Sequence, residues 1–422
     1  MQTHKTASAR ADVPLATSNV GQEWRSAVAP WWRAARATFP TFALTHLIFL
    51  LLTYFGGVLF IVPNYTTLPL DFKSVLYSWY HWDATRYLSI ATRGYIDHTY
   101  TAYFPLYPAV THFLSTLFHQ DVLLSGMLVA NLSFFAALVV LYRFVREEFD
   151  AAIAQRTVLY LSIFPAALFF FAAYAASLFL FFIVICVYTA RRGQWWLAGI
   201  FGGLAALTDS AGIVLLIFFL CEFFRQQGFR PEQSETTKRY KHYLPLVPAL
   251  LIPLGIGIYC FALKQQFADP FAFLHPQLDK GTLFRLPWNS LGATITTVLR
   301  LPFYSFAVTH SLVELFTLVF FCALIVLGFF GSEKLPKHYW TLLLFNILLL
   351  LYALIFPAMP GFVQSPLDPL PAILPTSLNL FVGFIVLARL GRRSWVHHSY
   401  LLLAPPLLAL MVLQLVTGHW TL

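Results

Sequence analysis

The sequence predicts an all-α, polytopic membrane protein. Hydrophobic residues make up 59% of the 422-residue chain and charged residues only 11%, against about half and a quarter in soluble domains. Apolar runs of span length recur from residue 39 to residue 417. These observations exclude disordered, collagen-like, disulfide-stapled and ordinary soluble classes. The net charge of +9 does not point to nucleic acid, because no basic run is interleaved with a soluble fold. In a membrane protein, surplus Lys and Arg mark the cytoplasmic loops. Cys186, Cys221, Cys260 and Cys322 all sit in apolar runs. They read as small buried hydrophobes rather than disulfides or metal ligands.

Residues 1–38 form a polar, basic arm expected in the cytoplasm, with Lys5, Arg10, Arg25, Arg33 and Arg36. The apolar run that follows lacks a small-residue cleavage site and exceeds a signal h-region, so it is expected to remain as the first span. Residues 39–422 read as one transmembrane domain. Full spans are expected at 39–62, 121–142, 151–171, 172–190, 243–263, 311–331, 338–357, 371–389 and 399–417.

Charge placement resolves three ambiguous segments. If 102–119 and 291–308 do not cross, and 195–225 enters and leaves on one side, 20 of the 27 Lys and Arg residues lie inside. The 195–225 segment then reads as a re-entrant helix pair, weakened by Gly199, Gly202 and Gly203 and broken at Thr208-Asp209-Ser210. Non-helical backbone at that depth must be buried in protein or line a cavity. The expectation is about nine full spans plus this pair. Two large outer segments remain, a structured first loop at 63–120 and a second at 264–310. No internal repeat or inverted pair of halves is present, which disfavours a transporter.

The first outer loop concentrates chemistry. Trp79 to Ala91 reads as a helix lying at the membrane surface, with Trp79 and Trp82 suited to the interface. Asp83, near its start, is favoured by the helix dipole and shares a face with Arg86, Tyr87 and Ile90. An aspartate there can take the proton of an attacking hydroxyl, and an arginine beside it can balance a leaving phosphate. An exposed Asp83–Arg86 ion pair of little energetic weight fits the same spacing. Asp83 can also hold a divalent cation, but no second carboxylate is clearly paired with it, so no cofactor is assigned. Asp269, His275, Asp279, Lys280 and Arg285 of the second outer loop can join the site or form a solvated loop. Asp209 is an ionisable group at membrane depth, functional by default there. Pro105 and Pro108 read as fixing a bend rather than touching a ligand.

Trp82-Asp83-Ala84-Thr85-Arg86-Tyr87, with Ile90-Ala91, Gly94-Tyr95 and Tyr103-Phe104-Pro105-Leu106-Tyr107-Pro108, resembles the PIG-V family. These are GPI mannosyltransferase II enzymes and their prokaryotic relatives among the GT-C glycosyltransferases. The resemblance continues through Phe164-Pro165-Ala166-Ala167, Phe169 to Tyr174, Ser177-Leu178-Phe179, Arg191 to Gly199, Ala205 to Thr208, Asp269-Pro270 and Phe273-Leu274. It implies a GT-C-like bundle that moves a sugar, usually mannose, from a polyprenyl-phosphate carrier to an acceptor hydroxyl, with inversion, on the extracytoplasmic face. Asp83 matches the proposed general base. Trp82, Tyr87, Pro105, Tyr107 and Pro108 are expected to position its loop. Arg86, Arg93, Lys280 and Arg285, with Arg300, are the outer cations able to meet a phosphate.

Three positions depart from the family pattern. Ala175-Ala176 replace Thr-Glu, Asp209 stands where an arginine is usual, and Ser365 to Pro369, including Asp368, replace Arg-Tyr. A catalytically inactive lipid-binding or transport relative is the alternative they motivate. An ion-coupled transporter ranks behind both, because Asp209 is its lone mid-membrane candidate. The expected partners are the lipid-linked donor, a lipid, polymer or protein acceptor, and membrane lipid. No nucleotide-phosphate loop is present. A plasma-membrane location with the N-terminus inside is expected.

Overall fold

A computed structural model describes residues 19–58, 72–119, 121–227, 243–275, 286–303, 305–356, 370 and 373–418. Every regular element among them is helical. The first long helix, α1 (Asn19–Gly56), leads to the loop expected on the outer side. That loop contains α2 (Phe72–Tyr77), α3 (Asp83–Arg93), a 3-10 turn at His98–Ala102 and α4 (Leu106–Leu117). The bundle continues with α5 (Val122–Glu148), α6 (Ala151–Ser162), α7 (Ala176–Arg191), α8 (Trp195–Thr208) and α9 (Val214–Gln227). Then follow α10 (Leu251–Phe267), α11 (Pro287–Arg300), α12 (Phe306–Phe330) and α13 (Trp340–Ile355). The short α14 (Ile373–Ser377), α15 (Phe381–Leu390) and α16 (Ser394–Val416) complete the series.

Seven helices among the described residues are long and apolar enough to cross a membrane, and α7, α8 and α15 are shorter apolar ones. Large apolar side chains stay exposed along the flanks, such as Leu47 and Leu51 on α1, Phe261 on α10, Phe316 on α12 and Leu402 on α16. So much exposed apolar surface suits lipid, not water. The chain is an integral, multi-pass membrane protein.

Ion pairs gather at one end of the bundle. Arg191 reaches Glu148 at 3.0 Å and Glu222 at 3.4 Å. Glu222, fully buried, also accepts a two-pronged contact from Arg225 at 2.9 and 2.5 Å and the Thr341 hydroxyl at 2.7 Å. Arg392 pairs with Asp150 at 2.9 Å, and Arg389 with Glu333 at 3.6 Å. The paired charges offset the cost of removing each from water. The elements from α2 to α4 sit at the opposite end, where Tyr107, fully buried, donates to the Gly126 carbonyl at 2.9 Å near the start of α5.

This polarity gives the direction of each pass. Helix α7 descends to Arg191. Helix α8 climbs away from that charged end, and α9 returns to it, where Gln226 donates to the Ala190 carbonyl at 2.9 Å. The 195–225 segment therefore starts and finishes on one side, as charge placement predicted. Its break falls at Asp209, which caps a 3-10 turn, Ser210–Ile213. Bare α-carbons let α8 press on α10. A side chain at Gly203 would lie 2.6 Å from the Leu251 carbonyl, and one at Gly255 would strike the Gly203 carbonyl. Such small-residue seams permit close helix approach in membranes.

Three expected elements differ. The 151–171 span is continuous helix only to Ser162, because Pro165 starts a 3-10 turn at Pro165–Phe170. Within 371–389, the described helix is split between α14 and α15 at Leu378–Leu380. The expected helix from Trp79 begins only at Asp83. Trp79 is core rather than interface: it is fully buried, and its indole N–H donates to the Thr53 hydroxyl at 2.8 Å. It ties the segment between α2 and α3 to α1.

Candidate active site

Asp83 is the first residue of α3, where unpaired N–H groups and the helix dipole favour a carboxylate. The backbone before it is forced: Trp82 has φ 55°, a conformation costing a non-glycine residue about 1–3 kcal/mol. Hydrogen bonds fix that turn. The Thr85 hydroxyl donates to the Trp82 carbonyl at 2.7 Å, and the Tyr174 hydroxyl to the His81 carbonyl at 3.3 Å. Asp83 is thereby aimed at a cavity of about 210 Å³ at the loop end of the bundle.

The Tyr103 hydroxyl donates to Asp83 Oδ1 at 2.7 Å. Burial raises the Asp83 carboxyl above the usual carboxylate range, and the Tyr103 hydrogen bond and nearby Arg86 oppose that rise. Burial also lifts the Tyr103 and Tyr87 phenols well above their ordinary value, reinforced by the Asp83 charge. Both phenols therefore stay protonated, and Tyr103 is the one that donates to Asp83. Tyr87 lines the cavity, and its ring packs edge-on against Tyr103 and Tyr107, each at 5.1 Å.

Asp209 faces the same cavity from the α8–α9 break. One of its oxygens accepts from the Ala211 N–H at 2.8 Å. Ala175 and Ala176 form part of the wall, so two of the three departures from the family pattern border this space. The far wall comes from α13 and the α14–α15 break, with Tyr352, Thr376 and Asn379. Asn379 is only 6% exposed, and its Oδ1 has no hydrogen-bond partner among the described residues. A buried acceptor left unpaired costs about 1–3 kcal/mol.

The other expected site residues scatter. Arg86 lies beside Asp83 but turns away from the cavity lining; its guanidinium sits 5.0 Å over the Tyr100 ring and 3.4 Å from the Thr99 hydroxyl. Arg93 is exposed at the last turn of α3, and Arg300 is exposed at the end of α11. Pro105 precedes α4 as its cap and Pro108 is buried in its first turn. Asp269 and His275 pair at 2.9 Å, and the His275 ring stacks on His98 at 5.7 Å, away from the cavity lining. Asp279, Lys280, Arg285 and Asp368 lie outside the described residues. No group of three or more His, Cys, Asp or Glu side chains is placed to hold a metal ion among the described residues.

Sequence reasoning did not assign Tyr103, Tyr174, Tyr352, Thr376 or Asn379 to the site. Tyr103 and Tyr174 lay inside the quoted motifs, which was their available signal. Asn379 was hidden in an apolar run read as a span.

A helical membrane bundle with two carboxylates and several phenols converging on one ligand-sized space defines a multi-pass membrane protein with a site at one end. The family model for mannosyltransferase (PIG-V) matches residues 71–290. That is just over half of the chain, which belongs to this family and is a glycosyltransferase. GPI mannosyltransferase 2 of Cryptococcus neoformans var. neoformans serotype D is 26% identical over 333 residues, covering 72% of this chain and 78% of that one. The enzyme of the same description from Schizosaccharomyces pombe is 28% identical over 152 residues, covering 35% of this chain and 32% of that one. Among solved structures, the Archaeoglobus fulgidus oligosaccharyltransferase AglB, in complex with an inhibitory peptide and a dolichol-phosphate, aligns with a TM-score of 0.43 and 14% identity. The alignment covers 90% of this chain and 55% of that one, so this chain spans about half its length. Asp83, Tyr87, Tyr103, Tyr174 and Asp209 fall inside the family match; Tyr352, Thr376 and Asn379 fall outside it.

Proposed function

We propose that the protein transfers a sugar, mannose in the first instance, from a polyprenyl-phosphate carrier to an acceptor hydroxyl, with inversion and with Asp83 as general base. The observation that carries this reading is the Asp83 carboxylate, held by Tyr103 and opening into the cavity. Its upward displacement suits the role, because a base works best with a pKa nearer the working pH.

In the step, the acceptor O–H proton passes to Asp83. The freed oxygen pair forms a bond to the anomeric carbon. The bond from that carbon to the phosphate oxygen breaks on the opposite face, and polyprenyl phosphate leaves with the electron pair. Tyr103 is a positioning residue, since it holds one carboxylate oxygen and leaves the other to accept the proton. Arg86, beside Asp83, is the described cation best situated to meet the phosphate at the cavity mouth.

The positive-inside bias supports a cytoplasmic side for the basic, ion-paired end of the bundle, and with it an extracytoplasmic Asp83 cavity. A lipid-linked donor suits that side, where its tail stays in the bilayer and no nucleotide sugar has to cross. The test is a transfer assay with the purified protein in liposomes, using labelled polyprenyl-phosphate-mannose and a total lipid extract as acceptor pool. Label should move to a product of inverted anomeric configuration in the wild type and not in Asp83→Asn. Normal transfer by Asp83→Asn ends the assignment.

A further inference from the structure

We propose that Asn379 and Asp209 bind the hydroxyls of the transferred sugar and so set which carrier-linked sugar the enzyme accepts. This rests on the transferase reading above and adds the recognition residues to it.

Asn379 is 94% buried by its 6% exposure, yet its Oδ1 points to no partner among the described residues and its side chain lines the cavity. Buried polar atoms are nearly always paired. The Asn379 side chain borders the cavity while its Oδ1 is closed off, so a turn of the amide toward the space would give this unpaired acceptor to a sugar hydroxyl. Its placement is fixed by the backbone, because the Asn379 N–H donates to the Thr376 carbonyl at 2.9 Å in the turn between α14 and α15.

Asp209 borders the same space from the α8–α9 break, and its Ala211 contact holds the carboxylate at the lip of that turn. No lysine or arginine is among the described residues lining the cavity. Among the described residues the lining offers two carboxylates, an amide group and several phenols without a cation, a set that favours a neutral, polyhydroxylated group over a phosphate. The sugar therefore occupies the cavity, and the phosphate remains at its mouth. Hydroxyl–carboxylate and hydroxyl–amide bonds discriminate well, because a sugar lacking the matching hydroxyl leaves the buried groups unpaired.

The test uses the full-length protein in nanodiscs, with a short-chain polyprenyl phosphate bearing mannose and the same carrier without sugar as probes. Binding is measured in the Asp83→Asn background, so that turnover does not consume the ligand. The mannosyl carrier should bind more tightly than the bare one. Asn379→Ala and Asp209→Asn should each weaken the mannosyl carrier by about tenfold, the size of one lost hydrogen bond to a buried group, and leave the bare carrier unchanged. Bare-carrier binding also reports whether each variant is folded; if a truncation lowers both affinities, Asn379→Asp, which keeps the acceptor, should restore the preference for sugar.

Equal affinity of the starting protein for both probes overturns the inference. So does an unchanged sugar preference in both variants. Transfer by the wild type alongside unchanged KM values in Asn379→Ala and Asp209→Asn removes this proposal alone. Sugar-dependent binding without any transfer removes the catalytic reading and keeps this one.

Discussion

The Tyr103 hydroxyl lies 2.7 Å from Asp83 Oδ1 and donates to it across 20 residues of loop. The contact joins α3 to the segment just before α4, so the base and the wall of its cavity are built as one unit. It also sets how readily the carboxylate takes a proton, because a donor to the charged form holds the pKa down.

Asp83→Asn should lower transfer by about 10²-fold or more, the range for losing a general base. The fold should not suffer. Burial raises the folded carboxyl pKa above its unfolded value, so ionisation opposes folding as pH rises past the unfolded pKa. The neutral amide removes that penalty, and thermal inactivation in detergent at neutral pH should occur at an equal or higher temperature. A large loss of thermal stability beside the lost activity would instead mark Asp83 as structural.

Tyr103→Phe deletes the hydrogen bond that opposes the raised Asp83 pKa. The acidic limb of the kcat/KM profile should therefore move to higher pH, with a smaller loss at the plateau than in Asp83→Asn. A profile that scales down without moving would show that Tyr103 does not tune the base.

Glu222→Gln tests the charged end. It leaves Arg191 and Arg225 without the buried carboxylate they share. Removing one member of a buried ion pair costs about 3–5 kcal/mol. Thermal inactivation should fall by many degrees, while the KM for donor in the surviving enzyme stays put, because Glu222 is remote from the cavity lining.

Gly203→Ala puts a methyl group 2.6 Å from the Leu251 carbonyl. Backbone cannot rotate aside as a side chain does, so α8 and α10 must separate, at about 1–3 kcal/mol. Gly257→Ala, where nothing lies within 4 Å, is the matched control on α10 and should be nearly silent. Equal inactivation temperatures for the two would show that the seam is slack.

The helical bundle was legible because span length, apolar content and the Lys/Arg bias are local, one-dimensional signals. They also gave the hairpin at 195–225 and its break at Asp209, since glycines and a polar triplet mark that turn. Asp83 was legible from its dipole-favoured place and its motif. The helix start was not: the left-handed turn at Trp82 has no glycine to announce it. The Asn379 wall was hidden for a related reason. Ser377 and Asn379 are weak breakers in an apolar run, and Asn379 shares the cavity with Asp209 from a segment 170 residues further along the chain. For Arg86, helical spacing gave the face it shares with Asp83 but not the seat of its guanidinium over Tyr100.

The glycine seam between α8 and α10 has a mechanical result. With carbonyl against α-carbon and no rotamer between them, the two helices act as a single stiff strut. At its cavity end the strut carries Asp209 on one member and Tyr259 on the other, and Tyr259 is tethered to the Thr101 carbonyl at 2.7 Å. This side of the chamber keeps a fixed gauge, and any widening for a bulkier passenger falls to the opposing α13–α15 side.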